Sequence, residues 1–218
     1  MKSLPLSLAL VAALSLSPAA FAHEGHDAMT PAATAASTVS AKQAATQGAL
    51  RDLWVEHVFW IRNYVVASHA HDANAQKVAT AQVLANATSI AGAVGSFYGK
   101  PAGDRMLTLL GGHWGAVKAY SDATFANDAK GQAAATATLL ANAKDIAAFL
   151  AKANPNLPEA TLISLLSAHG AHHIAQIQQL AQGDDAAEAK TWAAMRAHMF
   201  AIADALTGAL AKQFPAKF

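Results

Sequence analysis

Val83-Leu84-Ala85-Asn86-Ala87, followed by Ile90-Ala91, returns 56 residues later as Leu139-Leu140-Ala141-Asn142-Ala143, followed by Ile146-Ala147. The same step carries Leu109-Leu110-Gly111-Gly112-His113 onto Leu165-Leu166-Ser167-Ala168-His169 and, backwards, onto Leu53-Trp54-Val55-Glu56-His57. It also carries Asn142 onto His198 and Ile146 onto Ile202. A period of this length is the mark of one supersecondary unit repeated in tandem. Within each copy the apolar residues recur every three or four positions, which is the spacing of one helix face. The chain is therefore expected to be all-α: a single bundle of about six helices built from three tandem helical hairpins. A four-helix core with an extra hairpin is the close alternative.

Punctuation places the helices. The first is expected over about Ala49–Ser68, with Leu50, Leu53, Trp54, His57, Val58, Ile61 and Val65 on one face. The second runs from about Ala75 to Tyr98, where Gly99-Lys100-Pro101 stops it. The third is expected to start near Asp104 as an N-cap, because a short carboxylate there accepts an orphan backbone N–H. The fourth follows Asn127-Asp128, the fifth follows Pro158, and the sixth runs from Gly183-Asp184-Asp185 to about Gln213. Short connections make successive helices antiparallel.

Composition agrees. Ala occurs 58 times in 218 residues, and Ala is the strongest helix former. There is no Cys, which excludes disulfides, thiolate metal sites and Cys nucleophiles. Charged residues make up 13% and nearly balance, so the basic stripe of a nucleic-acid binder is missing. No Gly-rich phosphate loop, nucleophile elbow or H-E-x-x-H pattern occurs.

The amino terminus reads as an address. Lys2, the apolar run Leu4–Leu16 and the cleavage pattern Ala20-Phe21-Ala22 are those of a secretory signal peptide. Residues 1–22 are thus set apart as signal, 23–48 as a His-containing flexible leader and 49–218 as the bundle, in a periplasmic protein. No apolar run after residue 22 is expected to span a membrane. Cleavage after Ala22 would leave His23-Glu24-Gly25-His26-Asp27 at the new terminus, where an α-amine and two imidazoles can chelate copper or zinc. Residues 28–47 read as a tether or a frayed helix.

Leu53-Trp54-x-x-His57-x-x-Trp60-x-Arg62, Phe97-Tyr98-Gly99 and the tail Lys212-Gln213-Phe214-Pro215 resemble a group of small all-helical bacterial proteins. The shared features are a Trp-x-x-His first helix, an Asn in the second helix and a Gln-Phe-Pro ending, over about residues 50–218. The resemblance implies a helical fold and no particular reaction. The export signal, the His-rich start and the additional His of the fifth helix depart from the group.

Histidine carries the functional signal. His57, His113 and His169 hold the same place in the three copies, each on the apolar face one turn after a Leu. If the odd-numbered helices run in one direction, the three imidazoles sit at one depth and can converge. Three imidazoles with an open position suit zinc or copper. His172 and His173 follow His169 within one turn and can share its face. His198 stands where the other copies carry Asn86 and Asn142, and is expected as a fourth ligand or a supporting hydrogen bond. His69-Ala70-His71-Asp72 is read as a pair of helix ends. Trp54, Trp60, Tyr64 and Trp114 are read as core, with a noncovalent haem or apolar-ligand pocket as the functional alternative. Met195 and Met199, one turn apart, are also read as core, with soft copper ligation as the alternative.

Three readings follow. The first is an exported bundle that binds copper or zinc through His57, His113, His169 and His198, with a second site at His23 and His26. The second is a structural or interaction bundle whose buried histidines are hydrogen-bonded. The third is an enzyme using the same histidines.

Overall fold

The structure, a computed structural model, describes residues 39–218. The signal, His23, His26 and the first part of the leader lie outside the described residues. Six helices follow in order: α1 Ala41–His69, α2 Ala73–Tyr98, α3 Lys100–Phe125, α4 Ala129–Ala153, α5 Glu159–Gln182 and α6 Asp185–Gln213. A 3-10 turn, Pro215–Lys217, ends the chain, and no strand occurs among the described residues. The all-α bundle expected from the sequence is what forms.

Two boundaries differ from expectation. Helix α1 starts at Ala41 instead of about Ala49. Ser40 caps it by accepting the Gln43 N–H, and the Ser40 hydroxyl donates to the Phe218 carbonyl. Residues 41–48 therefore belong to the helix and not to the leader. Asp104 is not an N-cap, because α3 already begins at Lys100 with Pro101 in its first turn. Pro is tolerated there, since that N–H has no intrahelical partner. Gly99, at φ 87°, makes the break between α2 and α3, and Asp104 pairs instead with Lys100 one turn before it.

The three hairpin connections match at intervals of 56 residues. Asp72, Asp128 and Asp184 are the N-caps of α2, α4 and α6, and each accepts a backbone N–H three residues on. The residue before each cap has a positive φ: His71 at 56°, Asn127 at 54° and Gly183 at 70°. Only Gly adopts this conformation without steric cost. His69, His71 and Asp72 thus serve as helix ends.

Each helix packs on its neighbours in the chain, and α6 closes on α1. In addition α1, α3 and α5 contact one another. These odd-numbered helices form an inner triangle, with α2, α4 and α6 covering the seams between them. Successive helices reverse direction, so the inner three run the same way and equal positions along them come to equal depth. Three bonds hold the registers. Asn86 Nδ2 donates to the Leu53 carbonyl at 3.0 Å, Asn142 Nδ2 to the Leu109 carbonyl at 3.0 Å, and His198 Nε2 to the Leu165 carbonyl at 2.8 Å.

The apolar core is divided into two layers. One holds Trp54, Val58, Met106, Leu110, Leu166 and Met199 among others. The other holds Ile61, Tyr64, Trp114, Val117, Tyr120 and Ile177. On α6 the second layer is completed by a charged group. Glu188, almost wholly buried, accepts two bonds from Arg62 at 2.6 and 2.7 Å and one from Gln176 at 2.9 Å. Helix α2 is long and apolar enough, by length and composition, to cross a membrane, which corrects the expectation that no later segment would qualify. In this fold Val83, Asn86, Ala87 and Ile90 of α2 are buried in the bundle.

Backbone conformation and close packing set the stability effects expected here. Relieving the positive φ by His71→Gly should raise stability by about 1 kcal/mol, with a smaller gain for Asn127→Gly, and Gly183→Ala should lower it by a similar amount. A Cβ on Gly103 would lie 2.9 Å from the Ala91 carbonyl oxygen and 3.3 Å from Gly95 Cα. Gly103→Ala should therefore cost about 1–3 kcal/mol through overpacking, whereas Gly111→Ala, with open space around it, should be neutral or stabilising. Thermal unfolding followed by circular dichroism reads all five variants.

Candidate metal centre

His57 lies between the two apolar layers on α1, one turn from Trp54 and one turn from Ile61. His113 has the same place on α3, between Leu110 and Val117, and His169 on α5, one turn after Leu165. The inner triangle brings these three rings together, as their common register predicts. His173, one turn beyond His169 on the same face, joins them. All four are buried, and one ring nitrogen from each lies within 4.8 Å of the others.

The geometry suits a single ion. A tetrahedral zinc or copper at 2.0–2.1 Å from each nitrogen places ring centroids about 5.2 Å apart. The six observed centroid separations run from 4.5 Å for His169–His173 to 6.3 Å for His57–His173. Shifts of about 1 Å or less per ring would close the set on an ion.

Hydrogen bonding leaves the rings free for this. Both nitrogens of His57, Nε2 of His113 and Nδ1 of His169 are buried without a partner. The one bond inside the group joins His169 Nε2 and His173 Nε2 at 3.1 Å. A buried polar group without a partner costs about 1–3 kcal/mol. The reading in which these histidines are structural and satisfied requires partners on each ring, and four nitrogens lack them. Asn86 and Asn142 lie close enough to His57 and His113 to favour their protonated forms, and the two amide oxygens are themselves buried without a hydrogen-bond partner.

Burial governs the charge. It pushes His57 down to about 3, helped by His113 and opposed by Asn86. It pushes His113 down to about 4, against the pull of Asn142. His169 and His173 are held well below the ordinary imidazole value by burial and then by their neighbours. All four are neutral at pH 7, which is the form that binds a metal.

The remaining predicted residues lie elsewhere. His198 is outside the group of four. Its Nε2 bonds the Leu165 carbonyl, and its ring packs 5.5 Å from that of His172, centroid to centroid. His172 points to the α6 side while His173 points inward, a distinction that the sequence spacing alone does not make. His23 and His26 lie outside the described residues. Trp54, Tyr64 and Trp114 are buried core residues, with Trp54 set edge-on to His57 at 5.9 Å. The cavity beside Trp54, lined by Leu50, Met106, Leu150, Leu157 and Leu210, measures about 50 Å³. A drug-sized ligand needs about 300 Å³ or more, so it does not admit a haem. Met195 and Met199 are fully buried in the first apolar layer.

Comparison with known protein families, curated proteins and solved structures gave no match to this chain. The donor set itself therefore carries the argument.

The neutral histidines make the metal-free protein sensitive to acid. The unfolded chain takes up protons below about pH 6.5, and the folded chain resists until about pH 4 or 3 at His113 and His57. Stability is thus intact above pH 6.5 and lost as the pH falls from there towards 4. By pH 4 each of these two residues costs about 3 kcal/mol. The melting temperature of the metal-free protein should fall steeply between pH 6.5 and 4.5. A variant with Leu at His57 and His113 should show a clearly shallower fall.

Proposed function

We propose that this protein is an exported, non-enzymatic helical bundle that holds one transition-metal ion, copper or zinc, between His57, His113, His169 and His173. The observation that carries this reading is the set of four buried imidazoles in mutual reach, with four ring nitrogens left without hydrogen bonds. One ion takes one nitrogen per ring, so coordination would satisfy at most three of these, one each on His57, His113 and His169, and would offset part of the desolvation of the cluster. A set of four neutral nitrogens suits tetrahedral zinc or cuprous copper better than calcium or magnesium, which take oxygen ligands. The 56-residue correspondence supports the reading, since three like hairpins deliver three like ligands to one point and His173 supplies the asymmetric fourth. Export, as suggested by Ala20-Phe21-Ala22, would expose the protein to extracytoplasmic copper and zinc. His23 and His26 would then form a separate, weaker site.

Chemically the bundle would act by holding the ion. All four donors are imidazoles, and the rings sit between two apolar layers. Such a site keeps the ion from water and from competing ligands.

Metal content tests the reading. Protein exported and cleaved in the cell, without a terminal tag, should bind one equivalent of copper or zinc by elemental analysis. His57→Ala, His113→Ala and His169→Ala together should abolish it, and His173→Ala should weaken affinity at least tenfold. Deletion of residues 23–30 should leave that equivalent in place. At 1,000 times the dissociation constant the ion should stabilise the fold by about 4 kcal/mol, or about 10 °C in melting temperature. Retention of stoichiometric metal by the triple variant, or silence of the wild type in micromolar titrations, would overturn the proposal.

A further inference from the structure

The four-histidine centre has no direct opening. Its unpartnered nitrogens are inaccessible to solvent, and apolar layers lie on both sides along the bundle axis. An ion must therefore reach it through a seam between helices. One seam, that between α5 and α6, carries two further imidazoles.

His198 and His172 face each other across this seam, with ring centroids 5.5 Å apart. Both are only partly buried. His198 stands where α2 carries Asn86 and α4 carries Asn142, and it makes the same bond to the inner helix. A carbonyl only accepts, so His198 Nε2 must carry the proton and Nδ1 presents a lone pair. An Asn there would satisfy the Leu165 carbonyl equally well. The imidazole keeps that bond and adds a metal-binding atom. His172 is likewise particular to this hairpin: the corresponding residues are Trp60 and Ala116. An ion shared by two imidazoles at 2.0–2.1 Å sets their centroids about 5–6.5 Å apart, which brackets the observed distance. The pair also adjoins the centre. His172 precedes His173 in the chain, and His198 is close enough to His169, and His172 to His173, to disfavour their protonation.

We propose that His172 and His198 form a second, two-imidazole metal site at the α5–α6 seam, through which a transition-metal ion enters and leaves the buried four-histidine centre. The ion would exchange one nitrogen for another, from His198 and His172 to His169 and His173, without any change in oxidation state and without passing through the apolar layers as a bare ion. This inference rests on the metal-binding reading given above.

Cobalt(II) is a suitable probe, because its visible absorption reports tetrahedral nitrogen coordination. Metal-free wild-type protein is mixed with Co(II) in a stopped-flow instrument and compared with His198→Asn, His172→Ala and the double variant. His198→Asn retains the bond to Leu165, and the unfolding temperature of each metal-free variant is measured alongside. The expected result is an unchanged final tetrahedral band, at one equivalent, that appears at least tenfold more slowly in the double variant and is lost to a chelator at least tenfold more slowly. In protein lacking residues 23–30, which removes His23 and His26, the weaker second equivalent should disappear in the double variant. Loading and release within twofold of the wild type would overturn the entry site while leaving the buried centre standing. So would faster loading in a destabilised variant. A wild type that never develops the tetrahedral band would overturn both.

Discussion

Four neutral imidazoles held in the dry centre of the bundle are the constraint on which the rest of this structure depends. Burial forces them to be neutral, since a charged imidazole between two apolar layers is strongly disfavoured. Neutral imidazoles still need hydrogen-bond partners or an ion, and the apolar layers that exclude water supply neither. The inner helices answer only part of this need. His169 and His173 bond each other, whereas His57 and His113 keep unpartnered nitrogens. A fold that keeps such groups at its centre gives up stability there and must recover it elsewhere.

Contacts that set helix register hold the cluster in place. The bonds from Asn86, Asn142 and His198 to carbonyls of the inner helices tie each outer helix to the turn that carries His57, His113 or His169. A slip of one turn would move the ring by about 5.4 Å along the axis and disperse the cluster. The caps at Asp72, Asp128 and Asp184 fix where the outer helices begin. The buried Glu188, paired with the partly exposed Arg62 and bonded to Gln176, joins α1, α5 and α6. Removing one partner from such a pair leaves a buried charge uncompensated, so this contact also holds α6 in one position.

Most of the fold was legible in the sequence. Apolar residues at helical spacing, Ala content and the Asp residues that open α4 and α6 place those elements within a few residues. The errors came where local signals compete. Asp104 looks like a cap, but Pro101 allows α3 to start earlier, and Asp104 then pairs with Lys100. Residues 41–48 look like leader because they lack large apolar groups. Ser40 and the Phe218 carbonyl anchor them as helix, and the second of these partners is 178 residues away. Helix α2 is apolar enough in composition for a membrane, and its packing in the bundle is a tertiary fact.

The sequence by itself determined that His57, His113 and His169 share one helical phase, because each stands one turn after a Leu on the apolar face of its helix and 56 residues from the next. It also determined that His198 takes the place of Asn86 and Asn142. Only the tertiary structure decided that α1, α3 and α5 are the inner helices, so that the shared phase becomes convergence. It likewise chose His173 over His198 as the fourth ring. On α5, His172 and His173 differ by a rotation of about 100° about the axis, and helical spacing from His169 permits either to face the same way. The positions of α1 and α3 on one side and α6 on the other turn His173 inward and leave His172 with His198 at the seam.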